Sequence, residues 1–138
     1  MTITPYLLYE DVDAAMDFLE RAFGFVEVLR YTGDEGYVNP AEMRLGDDVI
    51  YLGDPGPDYR NPSKLGGPTV LIGVSDLNDV DALCEHARVA GAQITQEPTD
   101  QAYGERRFAA ADPEGHYWHF SQPIADVQPR DWGATTPG

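Results

Sequence analysis

The spacing of apolar residues changes character several times along the chain, and the same succession of changes occurs twice. The first copy opens with a strand-like run, Ile3-Thr4-Pro5-Tyr6-Leu7-Leu8-Tyr9. Val12, Ala15, Met16, Leu19, Ala22 and Phe23 then fall at the i, i+3, i+4, i+7 spacing that gathers side chains on one stripe of a helix. Asp11 stands where an N-cap is expected, and Gly24 where a left-handed residue ends the helix. Three short strands are predicted to follow, at Phe25 to Tyr31, Ala41 to Leu45 and Val49 to Leu52.

The second copy repeats this order. A run from Thr69 to Val74 leads to a helix stripe of Val80, Leu83, Cys84, Ala87 and Ala90, with Asp79 as N-cap and Gly91 as stop. Strands are then expected at Gln93 to Thr95, Arg106 to Ala111 and Tyr117 to Ser121. The helices are offset by 68 positions and the first strands by 65, which implies a three-residue insertion before the second helix. Each copy reads βαβββ, and each ends in a hairpin, at Gly46-Asp47-Asp48 and at Asp112-Pro113-Glu114-Gly115. The organisation is one domain over residues 1–138, made of modules 3–53 and 69–121. The linker 54–68 joins them, too rich in Pro and Gly for a helix or central strand, and a tail follows at 122–138, in which Trp132 either anchors over the body, the favoured reading, or is disordered.

Composition narrows the functional classes. A chain of 138 residues, 42% hydrophobic and 24% charged, suits one folded domain. Nine Lys and Arg against 24 Asp and Glu leave a net charge of −15, which argues against nucleic acid or anionic lipid as partner. The single Cys84 has no partner for an intramolecular disulfide and reads as a small core residue. With neither a signal-like segment nor a long apolar run, the expected location is the cytoplasm.

A doubled βαβββ unit closing on Asp112-Pro113-Glu114-Gly115-His116-Tyr117-Trp118, preceded by Tyr103-Gly104-Glu105-Arg106-Arg107, resembles the vicinal oxygen chelate superfamily. That group includes glyoxalase I, extradiol dioxygenases, fosfomycin-modifying enzymes and bleomycin-resistance proteins. The resemblance implies an α+β fold in which the two modules form a curled mixed sheet around a cleft. It also implies a homodimer, in which modules pair within or across chains. Metal-dependent members hold a divalent ion with residues of the first and last strands of each module, positions that fall here on Thr4, Tyr51, Thr69 and His119. Of these, only His119 is a good ligand for a transition metal. His86 falls on the polar side of its helix, and His116 belongs to the hairpin turn. No metal and no cofactor are therefore expected.

Strand alternation assigns the faces. With His119 toward the cleft, Tyr117 and Ser121 point the same way, while Trp118 and Phe120 face the helices. Likewise Tyr51 faces the cleft between Ile50 and Leu52, and Thr4, Tyr6 and Leu8 share that side with Thr69, Leu71 and Gly73. Val70, Ile72 and Val74 are left as a row for the core. Glu42 and Arg107, on the third strands, orient polar ligand groups or join surface ion pairs. The expected ligand site is Tyr6, Leu8, Glu42, Tyr51, Leu71, Arg107, Tyr117, His119 and Ser121. Its aromatic and hydroxylic character suits a flat small molecule, and the negative charge suits a cationic one. The favoured function is metal-free sequestration of a cationic or aromatic compound, as in bleomycin (antibiotic) resistance. A metal-dependent lyase, isomerase or dioxygenase is the first alternative. The second is metal-free acid–base catalysis by His119 with Tyr51 or Glu42.

Overall fold

The computed structural model describes residues 1–138. In the first module β1 (Tyr6–Leu8) leads to α1 (Val12–Phe23), then β2 (Val26–Thr32), β3 (Val38–Leu45) and β4 (Asp48–Gly53). The second has β5 (Leu71–Val74), α2 (Val80–Val89), β6 (Gln93–Gln101), β7 (Glu105–Ala111) and β8 (Tyr117–Pro123). Two separate four-stranded mixed sheets result, ordered β1-β4-β3-β2 and β5-β8-β7-β6. In each, the first strand lies parallel to the last, and the remaining pairs are antiparallel. The architecture is α+β with a repeated βαβββ module, as the pattern predicts.

Both helices start as expected. Asp11 and Asp79 accept hydrogen bonds at 3.0 Å from the amides of Ala14 and Ala82, satisfying donors that the helix leaves free. Gly24 ends α1 at φ 82°, a conformation costly for a residue with a Cβ. The α1 stripe is buried completely, and Val80, Cys84 and Ala87 bury the matching stripe of α2. Burial pushes the Cys84 thiol pKa up, in keeping with a packing role.

The helix-facing sides of the two sheets share one core. Phe23 of α1 lies 5.5 Å from Trp118 and 4.7 Å from Phe120, both on β8 of the other module, and Phe25 meets the same Trp118 at 5.6 Å. Leu7, Ile50, Leu52, Ala41 and Met43 complete this core from the first sheet, and Phe108 and Ala110 from the second.

The Asp112–His116 turn ties the modules a second time. The Glu114 carboxylate accepts from the amides of Glu10 and Asp11 at 2.7 and 2.9 Å and from Asn61 Nδ2. Asn61 is thus held between Glu114 and Glu10, whose carboxylate accepts from the Asn61 amide and the Lys64 ammonium. Gly115 is needed here: at φ +92° its Cα approaches Ser63 so closely that a Cβ would lie 2.3 Å from Ser63 Oγ.

Several boundaries differ from expectation. The linker contains one 3₁₀ turn, Pro62–Leu65, capped by the Asn61 side chain at Lys64 N, because Asn-Pro starts a turn as readily as it prevents a long helix. β6 extends to Gln101 through Pro98, with the register shifting between Gln96 and Thr99; as an edge strand it tolerates the missing donor. Both first strands are shorter than their apolar runs, leaving Thr4 and Thr69 outside them. Val70 is 66% exposed and takes no part in the core, whereas Ile72 and Val74 pack against it. In the tail, Trp132 sits edge-on to Tyr103 at 5.6 Å.

Candidate functional site

The strand register places the expected site residues in rows that cross each sheet. In the first module Leu29, Glu42, Tyr51 and Tyr6 are successive cross-strand partners on β2, β3, β4 and β1. In the second, Gln96, Ala109, His119 and Gly73 form the matching row, flanked by Ala111–Tyr117–Leu71 on one side and Thr99–Arg107–Ser121 on the other. Since residues two apart on a strand share a face, Tyr117, His119, Ser121 and Arg107 all lie on the side away from the helices. Their strand neighbours Trp118, Phe120 and Phe108 are buried in the core, as alternation requires. We call these outward sides the concave faces.

The register corrects the expected repeat offset. The first-strand partner of Tyr51 is Tyr6 and that of His119 is Gly73, which stand 67 positions apart. The insertion before the second helix is one residue, not three. The error was even, so the side chains that lie within the strands kept their assigned faces, Val70 before β5 being the exception to the expected core row. The correction does change which residues adjoin the last strands: Tyr6 and Gly73 replace Thr4 and Thr69. Neither set supplies a second good ligand beside His119, and no three His, Cys, Asp or Glu side chains converge anywhere in the chain. The donor set does not fit a catalytic divalent ion.

Within one chain the concave faces are open. Tyr6, Leu8, Leu71 and Tyr117 are 47, 38, 48 and 41% exposed, and Leu29 and Tyr31 on β2 are exposed beside them. Tyr6 packs edge-on to Tyr51 at 5.7 Å and donates its hydroxyl to Asn39. No hydrogen bond, ion pair or ring contact links the site residues of one module to those of the other. A cavity of about 670 Å³ lies at the seam of the modules instead, bounded by Thr2–Pro5, Phe25, Leu45–Ile50 and Ile72–Leu77. None of the nine expected site residues lines it, and its acids Asp47, Asp48 and Asp76 are exposed.

The second concave face is chemically unsatisfied. Tyr117, His119, Ser121 and Arg107 make no side-chain hydrogen bond within the chain, and Arg107 Nε is shielded from solvent with no acceptor. Burial, and then the positive charge of Arg107, hold the His119 pKa below its usual value, so the ring is neutral at pH 7. Glu42, on the first face, forms no ion pair either. The other two histidines are occupied: His86 Nε2 lies 2.8 Å from the Arg21 carbonyl, and His116 Nε2 lies 2.8 Å from that of Leu8.

The family model of the Glyoxalase/Bleomycin resistance protein/Dioxygenase superfamily matches residues 3–120. The chain belongs to this superfamily. Uncharacterized proteins of Mycobacterium bovis and Mycobacterium tuberculosis are 35% identical to it over 130 residues, covering 91% of this chain and 85% and 76% of theirs. Among solved structures, TioX from Micromonospora sp. ML1 is similar at 29% identity and a TM-score of 0.70, over 93% of this chain and all of that one. Glyoxalase I from Zea mays shares the fold at 20% identity and a TM-score of 0.71, over 91% of this chain and 46% of that one. The fosfomycin resistance protein FosX from Mesorhizobium loti shares it at 14% identity and a TM-score of 0.66, over 90% of this chain and 92% of that one. Superfamily membership settles the α+β, two-module fold and leaves ligand and chemistry to this chain's own residues. Its two helices are not long and apolar enough to cross a membrane.

The residues that sequence reasoning passed over are Tyr9, Asn39 and Asn61. Asn39 sits in β3 and fixes the Tyr6 hydroxyl, a contact across 33 positions with no local signature. Asn61 did carry a signal, since Asn before Pro-Ser-Lys is a capping sequence.

Proposed function

We propose that this protein binds an aromatic small molecule on the concave faces of its sheets and retains it without a catalytic metal, as expected for a sequestering member of the superfamily similar to bleomycin-resistance proteins. The observation that carries this reading is the state of Tyr6, Leu8, Leu71 and Tyr117. These apolar and aromatic side chains stand exposed in registered rows beside the unused polar groups of Tyr51, His119 and Ser121. Such a surface offers stacking area with a few hydrogen-bonding groups, the composition of a small-molecule site.

The exposure of both faces supports a homodimer, in which the first face of one chain covers the second face of another and the ligand lies between them. That pairing brings Tyr6 and Tyr51 toward Gly73 and His119 and still supplies one imidazole for any ion. The preference for a cationic ligand drawn from the net charge of −15 acts during approach; on the faces themselves the charges outside ion pairs are of both signs, Glu42 with Arg44 on the first and Glu105 with Arg107 on the second. Acid–base catalysis by His119 draws support from its neutral, shielded ring, but neither Tyr51 nor Glu42 hydrogen-bonds to it.

The reading is tested by thermal denaturation with a panel of aromatic compounds at saturating concentration. A binder raises the melting temperature by mass action, and Gly73→Phe, which fills open space beside His119, removes the rise. A panel that leaves the melting temperature unmoved contradicts it.

A further inference from the structure

We propose that Arg107 is the anchor for an anionic oxygen group of the ligand, a carboxylate or a phosphate-type oxyanion, received beside His119 and Ser121 on the second concave face. This rests on the binding reading above and names the chemistry of one end of the ligand.

The chain carries 24 carboxylates and nine Lys and Arg side chains, so a basic group here is easily neutralised. Arg30, Lys64, Arg88 and Arg106 each hold at least one carboxylate, and Arg21, Arg44 and Arg60, which hold none, donate to backbone carbonyls instead. The contrast with the adjacent residue is instructive. Arg106 points to the helix side of β7 and is clasped by Asp81 on α2 and Asp100 on β6, both within 3.0 Å. Arg107, turned to the opposite face, meets no acid and no carbonyl, and its Nε is removed from water. Guanidinium cannot lose its proton at any ordinary pH, and a shielded N–H without an acceptor is costly to keep. The two terminal nitrogens, which also lack an acceptor and are not buried with Nε, form a fork of N–H donors that matches a planar or tetrahedral oxyanion.

The surroundings have room and suitable donors for one. Ser121 is the cross-strand partner of Arg107 and has a free hydroxyl. His119 lies one place along β8 on the same face, and beside it Gly73 on β5 leaves open space, with nothing within 4 Å of where a Cβ would be. The titratable and charged groups facing His119 are Tyr117 on its own strand and Arg107 on β7. From β5 it meets only Gly73 and Leu71. An oxyanion on Arg107 therefore cancels the charge that disfavours imidazolium, and anion binding draws a proton toward His119.

The test compares benzoate and phenyl phosphate with benzylamine, aromatic probes of similar size and opposite charge, by NMR titration of the whole protein. The two anions are expected to bind, to shift the His119 ring signals and to raise the His119 titration midpoint. Benzylamine is expected to do none of these. Arg107→Gln should weaken both anions by about tenfold or more, the worth of a charge-assisted hydrogen bond, while leaving the melting temperature unchanged or higher. Preference for one anion identifies the group as carboxylate or phosphate. If all three probes bind equally and Arg107→Gln changes nothing, the anchor is refuted while aromatic binding stands. If Arg107→Gln lowers the melting temperature and splits a dimer, and Glu42→Gln does the same, Arg107 serves a carboxylate of a second copy and the proposal is overturned. If none of the probes binds, although other aromatic compounds raise the melting temperature, it fails as well.

Discussion

Tyr9 donates its hydroxyl to Asp112 Oδ2 at 2.6 Å, joining the end of β1 to the last turn of the other module across 103 positions of chain. The acceptor is shared with Trp118 Nε1 at 3.2 Å, and Asp112 Oδ1 takes the amides of Glu114 and His116. Four donors on one buried carboxylate make a fully satisfied network, in contrast to the open polar groups of the concave face. Asp112 thus organises the hairpin and locks the modules, and the Asp-Pro-Glu-Gly-His segment is a structural latch in this chain.

Removing either side of the latch should be costly in proportion to the donors orphaned. Tyr9→Phe leaves Asp112 with three of its partners and is expected to cost about 1.5–3 kcal/mol. Asp112→Ala strands the Tyr9 hydroxyl, the indole N–H and two amides, and is expected to cost more than Tyr9→Phe. Urea denaturation of the two variants gives both values. Burial first, then Asp112, raises the Tyr9 pKa well above that of a free phenol. Its stabilisation is present below the unfolded value and is lost as pH rises through the folded one, so Tyr9→Phe should also flatten the alkaline limb of the stability profile.

Gly115→Ala and Gly24→Ala separate strain from collision. Both glycines have positive φ, which costs an L-residue about 1–2 kcal/mol. At Gly24 nothing lies within 4 Å of the added Cβ, whereas at Gly115 the Ser63 backbone nitrogen is 2.6 Å away. The Gly115 variant should therefore be clearly less stable in denaturant melts, and its Lys64–Glu10 ion pair displaced.

The shared core predicts one unfolding transition for both modules. Phe23→Ala, which removes a ring packed between Trp118 and Phe120 of the other module, should cost about 3–5 kcal/mol. Because Trp118 belongs to the second module and the mutation to the first, tryptophan fluorescence and far-ultraviolet circular dichroism should lose structure at the same denaturant concentration.

His119 provides a pH signature. Its pKa is lowered by burial and, second, by Arg107, so the folded chain binds fewer protons than the unfolded one between the two values. Its contribution to stability is complete above the ordinary histidine range and falls away as pH drops through the folded value. Arg107→Gln should raise the midpoint seen by NMR without restoring it fully, because burial is the larger cause.

The two modules were legible because helix stripes and N-caps are local: Val12 to Phe23 and Asp11 alone determine where α1 begins and which side it buries. Face assignment for Tyr51, Tyr117 and His119 was equally local, since alternation survives any even slip. The exact partners were not, because the register of a parallel pair is set by contacts between distant segments, and so Tyr6 and Gly73 took the places expected for Thr4 and Thr69. Arg106 and Arg107 show the same limit. Adjacent in sequence and identical in type, one is neutralised and the other is not, and only the packing of α2 and β6 on one side of β7 decides which.

The decisive measurement is the metal content of untagged protein purified without chelator, by plasma mass spectrometry. Binding faces that supply a single imidazole should carry zinc, nickel, manganese and iron well below one ion per chain. One ion per chain, lost in His119→Ala, would contradict retention without a metal and make this member of the superfamily a metalloprotein.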